Sequence, residues 1–81
     1  MFLHVTEARY IRAYILWLRF NNGAEGEIDL EGELEGEVFG ALKDLTLFKD
    51  FRVDPEVETI VWSNGADLAP EYLLANLKVL A

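Results

Sequence analysis

From residue 25 to residue 37 the chain alternates with a period of two. Glu25, Glu27, Asp29, Glu31, Glu33, Glu35 and Glu37 hold the odd positions, and Gly26, Ile28, Leu30, Gly32, Leu34 and Gly36 the even ones. In an extended chain successive side chains point to opposite faces, so the acids share one face and Ile28, Leu30 and Leu34 the other. The first half is expected as a strand. Beyond Leu30, glycines at 32 and 36 weaken a strand and favour bends, so the alternation is expected to continue through an irregular loop.

The preceding segment, residues 12 to 20, is rich in aromatic and branched types and reads as a strand with Tyr14, Leu16, Leu18 and Phe20 on one face and Ile15, Trp17 and Arg19 on the other. Apolar residues on both faces imply cover on both sides: helices on one, a second subunit on the other. An opening strand of irregular alternation carries Leu3 and Val5 and ends near Glu7 to Arg9. Asn21-Asn22-Gly23 then makes a hairpin, because Asn-Gly tolerates the positive φ angles of a tight turn.

After Gly36 the period lengthens. Val38, Leu42 and Leu45, with Phe39 and Phe48, recur every three to four residues and predict short helical turns, the second capped by Asp44 through a backbone N–H near Thr46 or Leu47. Phe51 to Asp54 and Glu58 to Trp62 flank the turn dipeptide Pro55-Glu56 and predict a second hairpin. Ser63-Asn64-Gly65 is another turn. A terminal helix starts within Asp67 to Glu71, with Pro70 in its first turn, acids suited to the positive end of its dipole, and Leu73, Leu74 and Leu77 as its apolar face. Hairpins interrupted by short helices define an α+β fold: a small antiparallel sheet of hairpins with two or three short helices, in a single domain over residues 1–81.

Size sharpens this picture. A core built from 81 residues rarely supplies more than about 3–5 kcal/mol, so a staple is expected. The chain has no cysteine and one histidine, which excludes disulfides and cysteine-bound zinc, and leaves oligomerisation or unusually good packing. A homodimer is the expectation. No secretory signal, lipidation motif or long apolar run is legible, and the expected setting is the cytoplasm.

Fifteen acids against seven Lys plus Arg give a net charge of −8, and seven of those acids lie in the alternating stretch. Direct nucleic-acid binding, which needs clustered cations, is not expected, nor is membrane binding. No basic residue occurs between Arg19 and Lys43, so no sequence neighbour neutralises Glu25 to Glu37. That strip reads either as a solvated edge that discourages aggregation or as a surface that steers a basic protein partner. A calcium loop is not reproduced, and glutamates on one strand face diverge rather than converge.

Candidate chemistry is sparse. Ser63 lacks a nucleophile-elbow motif, and His4 reads as an ordinary surface or interface histidine. Scattered glycines in an acidic segment make no phosphate cradle. No catalytic residue, cofactor or metal ligand is assigned. The densest polar and aromatic cluster is Trp62 to Asp67, in which Trp62, Asn64 and Asp67 read as a structural junction or as the edge of a small-ligand site.

Several strings carry a resemblance: Leu18-Arg19-Phe20-Asn21-Asn22-Gly23, Val38 to Asp44 with Leu47-Phe48, Arg52-Val53-Asp54, and above all Ile60 to Leu73, with its tryptophan followed by Asn-Gly-Ala-Asp-Leu-Ala-Pro-Glu. Together they resemble the bacterial domain-of-unknown-function 2442 family over nearly the whole chain. Ser63 and Leu45 stand where that pattern usually has proline, and Val57-Glu58 replaces a frequent glycine-containing turn. The resemblance implies a small α+β domain similar to the N-terminal part of longer bacterial proteins that add a helix-turn-helix. It also implies genes placed beside another small protein, as in toxin–antitoxin pairs, and it carries over no catalytic residue.

Two functions are expected to compete. One is a non-enzymatic bacterial interaction module, antitoxin-like or regulatory, that binds a basic protein through Glu25 to Glu37. The other is a small-ligand sensor without its DNA-binding half, with its site near Trp62 to Asp67.

Overall fold

The computed structural model describes residues 2–79. Three antiparallel strands open the chain: β1 (Val5–Arg12), β2 (Ile15–Phe20) and β3 (Glu25–Asp29). Past Leu30 the backbone bends through a 3-10 turn (Glu31–Glu33) into α1 (Gly36–Gly40), a second 3-10 turn (Ala41–Lys43) and α2 (Leu45–Phe48). A hairpin of β4 (Phe51–Asp54) and β5 (Thr59–Trp62) follows, then α3 (Pro70–Ala75) and the short β6 (Lys78–Val79). The first sheet runs β1-β2-β3-β6 and the second β4-β5, both antiparallel. The fold is α+β, as the alternation of hairpins and short helices predicts.

The alternation in β2 decides where the core lies. Leu16, Leu18 and Phe20 are buried with Val5, Ile28, Leu30 and Leu34, and the second layer sets Leu42, Phe48, Ile60, Trp62, Ala66 and Leu73 against them in one cluster. Phe48 is its hub, with ring centroids 5.2 Å from Tyr14, 5.9 Å from Trp62 and 6.2 Å from Tyr10. The Tyr10 and Tyr14 rings meet it edge-on, the geometry the aromatic quadrupole favours.

One turn is used twice. In Phe20-Asn21-Asn22-Gly23-Ala24 the Phe20 N–H donates to the Ala24 carbonyl (2.8 Å) and Gly23 N–H to the Phe20 carbonyl (3.1 Å), while Asn22 Oδ1 accepts from Ala24 N–H (3.0 Å). Trp62-Ser63-Asn64-Gly65-Ala66 repeats all three bonds, at 2.9, 2.9 and 3.1 Å. Gly23 and Gly65 take φ of 88° and 89°, and a Cβ at either would meet nothing within 4 Å, so backbone angle alone calls for glycine. The asparagines keep negative φ. Both are therefore three-residue turns closed by a left-handed glycine, rather than two-residue turns with positive φ at Asn and Gly.

Other boundaries differ from the sequence reading. β1 runs on to Arg12 and turns through Ala13-Tyr14, where Ala13 takes φ of 45° with no glycine or asparagine to signal it. The β4–β5 loop closes on Glu58 at φ of 62°, within the Val57-Glu58 pair that stands in place of a glycine-containing turn frequent in the resembled pattern. Val38 and Leu45 are exposed, because the helical segments are single turns that bury Leu42 and Phe48 instead. α3 ends before Leu77, and Asp67 lies outside it, bridged to Val61.

Asp44 caps α2, its Oδ1 accepting from Thr46 N–H at 2.9 Å. Removing that acceptor in Asp44→Ala is expected to lower unfolding stability by about 1 kcal/mol. The left-handed Ala13 predicts the opposite sign: Ala13→Gly is expected to raise stability by about 0.5–1 kcal/mol. Urea midpoints of the two variants check both values.

Candidate functional site

The second layer covers one face of the β1-β2-β3-β6 sheet, so the alternate residues project from the other. Strand register arranges them in three rows: Arg12–Ile15–Asp29, Arg9–Trp17–Glu27 and Glu7–Arg19–Glu25. Lys78 pairs beside Glu27. Trp17, half-buried, sits between two guanidiniums, Arg9 and Arg19, each 5.2 Å from its ring centroid. Arg19 also bridges Glu25 (3.1 Å) and Glu7 (3.5 Å), and Arg9 meets Glu7 at 2.6 Å. A hollow of about 370 Å³ lies over one end of this face, lined by Arg12, Ile15, Glu27, Asp29, Asn76 and Lys78.

The acidic run is thereby divided. Glu25, Glu27 and Asp29 belong to the sheet, among cations brought from β1, β2 and β6. Asp29 Oδ1 accepts from Glu31 N–H (3.0 Å) and starts the bend that takes the rest out of the sheet. Glu31 and Glu33 lie on the first 3-10 turn, and Glu35 and Glu37 at the start of α1. All four are exposed, and among the described residues none forms an ion pair. Leu30 and Leu34 are nevertheless both buried, which pins this arm to the core. The neighbouring Glu33 carboxylate, which favours the protonated hydroxyl of Tyr72, holds that phenol above its ordinary range, with partial desolvation adding to the effect.

Trp62 and Asn64 lie in the second repeated turn, and Asp67 follows it in the bridge to Val61. Trp62 is buried and donates Nε1–H to the Phe48 carbonyl at 2.7 Å. Asn64 is occupied at both ends, accepting from Ala66 N–H and donating Nδ2–H to the Val38 carbonyl at 3.0 Å. Asp67 is exposed, and among the described residues its carboxylate accepts no hydrogen bond; the N-cap of α3 is Ala69. The 370 Å³ hollow and a second one, of about 390 Å³ beside His4 and Glu58, are lined by other residues. His4 Nδ1 lies 3.4 Å from the Glu58 carboxylate.

Sequence reasoning placed Trp17 and Arg19 on one face but not Arg9 or Arg12, because their partnership depends on the β1–β2 register. Bulges at Thr6 and Ile11 in β1 shift that register and hide the alternation that would have revealed it. At Asp54 the Glu56 backbone N–H, and after it the Val57 N–H and Arg52, hold the carboxylate below the usual range against a smaller opposing effect of desolvation.

Fold and surface together define a small two-layer α+β module with one sheet face open and an acidic arm at its edge. A family model described as Protein of unknown function (DUF2442) matches residues 5–79, and the chain belongs to that family. No curated protein and no solved structure is similar enough to count as a match.

The effect of Glu33 on Tyr72 has a spectroscopic consequence. In an ultraviolet titration one tyrosine is expected to ionise above the ordinary value of about 10, and Glu33→Gln is expected to bring it back down. A Glu33→Gln titration that overlays the unaltered one would contradict the assignment.

Proposed function

We propose that this chain is a non-catalytic protein-interaction module of the bacterial cytoplasm, a regulatory or antitoxin-like partner of a basic protein, which it engages through the acidic residues of 25–37. The observation that carries this reading is the contrast within that run. Glu25 is matched by Arg19 inside the sheet, whereas Glu31, Glu33, Glu35 and Glu37 project without ion-pair partners from an arm anchored by buried Leu30 and Leu34. Unpaired charges on a fixed scaffold keep their field for an incoming cationic surface, and they act on encounter rate more than on residence time. The side chains of Trp62 and Asn64 are committed to intramolecular hydrogen bonds, so no observation favours a ligand site there.

Co-purification from the native host at low salt tests the proposal. A basic partner is expected, and replacing Glu31, Glu33, Glu35 and Glu37 together by Gln is expected to slow its association about tenfold at low ionic strength while changing dissociation little. Recovery of the chain alone, or a partner indifferent to the four substitutions, would overturn it.

A further inference from the structure

The three rows of the open face have a property that single residues do not show. Two of them, Arg12–Ile15–Asp29 and Arg9–Trp17–Glu27, read cation, apolar, anion from β1 through β2 to β3. A second copy turned about a two-fold axis that lies in the interface along β2 would set its β3 over β1 and its β1 over β3. Each β2 would face its own equivalent. In that arrangement Ile15 and Trp17 meet their counterparts at the axis, Arg9 faces Glu27, and Arg12 faces Asp29, each pair formed twice.

We propose that this face is the contact between two copies of the chain, packed sheet to sheet with β1 of each over β3 of the other. Charge complementarity selects the occupant. Two-fold interfaces must be self-complementary, and the two rows that carry a cation on one side of an apolar residue and an anion on the other meet that condition under this rotation. Turning the copy about the in-plane axis perpendicular to the strands would instead stack Arg9 on Arg9 and Glu27 on Glu27. The third row sets Glu7 over Glu25 and Arg19 over Arg19; its acids are neutralised in part within each chain, by Arg19 on both and by Arg9 on Glu7, and it lies next to the Asn21-Asn22-Gly23 turn, at the rim of the contact. Lys78, beside Glu27, sits at the opposite margin, outside the β1–β3 pairing. An interface of ordinary size takes about 800 Å² from each partner, about one sixth of the 4957 Å² that this chain exposes. Half-buried Trp17 and Ile15 are the side chains that gain most from the cover, and the hollow over the Arg12 row is the gap that the facing ion pairs fill. This contact uses Glu27 and Asp29 but not Glu31, Glu33, Glu35 or Glu37, whose replacement tests the basic partner, so the two experiments fail separately.

Sedimentation of the full chain and of two charge-reversal variants tests the geometry. The unaltered chain is expected to dimerise, and less so at high salt. Arg9→Glu and Glu27→Arg each set like charges against each other twice, and each is expected to weaken self-association about a hundredfold or more while circular dichroism stays unchanged. Mixed in equal amounts, the two variants restore opposite charges at both contacts and are expected to form a one-to-one dimer. Arg12→Glu with Asp29→Arg repeats the design in the neighbouring row should either of the first pair fail to fold. A monomer up to about 1 mM, single variants that dimerise undiminished, or a mixture that stays monomeric would each overturn the proposal.

Discussion

The contact on which the rest of the molecule depends is the one around Phe48. Its ring receives Tyr10 and Tyr14 from the first sheet and Trp62 from the second, and its carbonyl accepts the Trp62 indole N–H at 2.7 Å. Each sheet is only a few strands, too small to be stable alone, and both gain cover by sharing this one side chain. The indole hydrogen bond also lets a tryptophan be buried without a stranded donor, and among the described residues no buried side-chain polar atom lacks a partner. α2 is a single turn, held by the Asp44 cap, and its only fully buried residue is Phe48.

Placing all of the second layer on one side of the first sheet leaves the other side for surface chemistry. On that side the chain does not simply display charge. Trp17 lies under two guanidiniums, Arg19 is shared by two carboxylates, and in two of the three rows the cation comes from β1 and the anion from β3. The net charge of −8 is therefore uneven in its effect. Where the acids lie in β3 they sit among cations from neighbouring strands, and where Asp29 bends the chain out of the sheet they do not.

The hairpins, the Asp44 cap, the α+β class and the burial of Ile28, Leu30 and Leu34 were legible because each follows from a local rule: a turn tripeptide, a capping side chain, a period of two. The turn at Ala13-Tyr14 was not, because an alanine at positive φ leaves no mark in composition. Nor was the exposure of Val38 and Leu45, since a helical period shows an apolar stripe but not that each helix stops after one turn. β6 escaped for a related reason: two residues beside β3 carry no pattern, and only the neighbouring strand makes them a strand.

By itself, the sequence determined which residues alternate, which turns close on glycine and where the acids concentrate, because these depend on neighbours a few positions away. Only the tertiary structure decided what the acids face. Register across β1, β2 and β3 brought Arg9, Arg12 and Arg19 onto the face of Glu25, Glu27 and Asp29, and left Glu31 to Glu37 exposed beyond the bend. Register is a relation between strands distant in sequence, set by bulges and by the core beneath, and no local period encodes it.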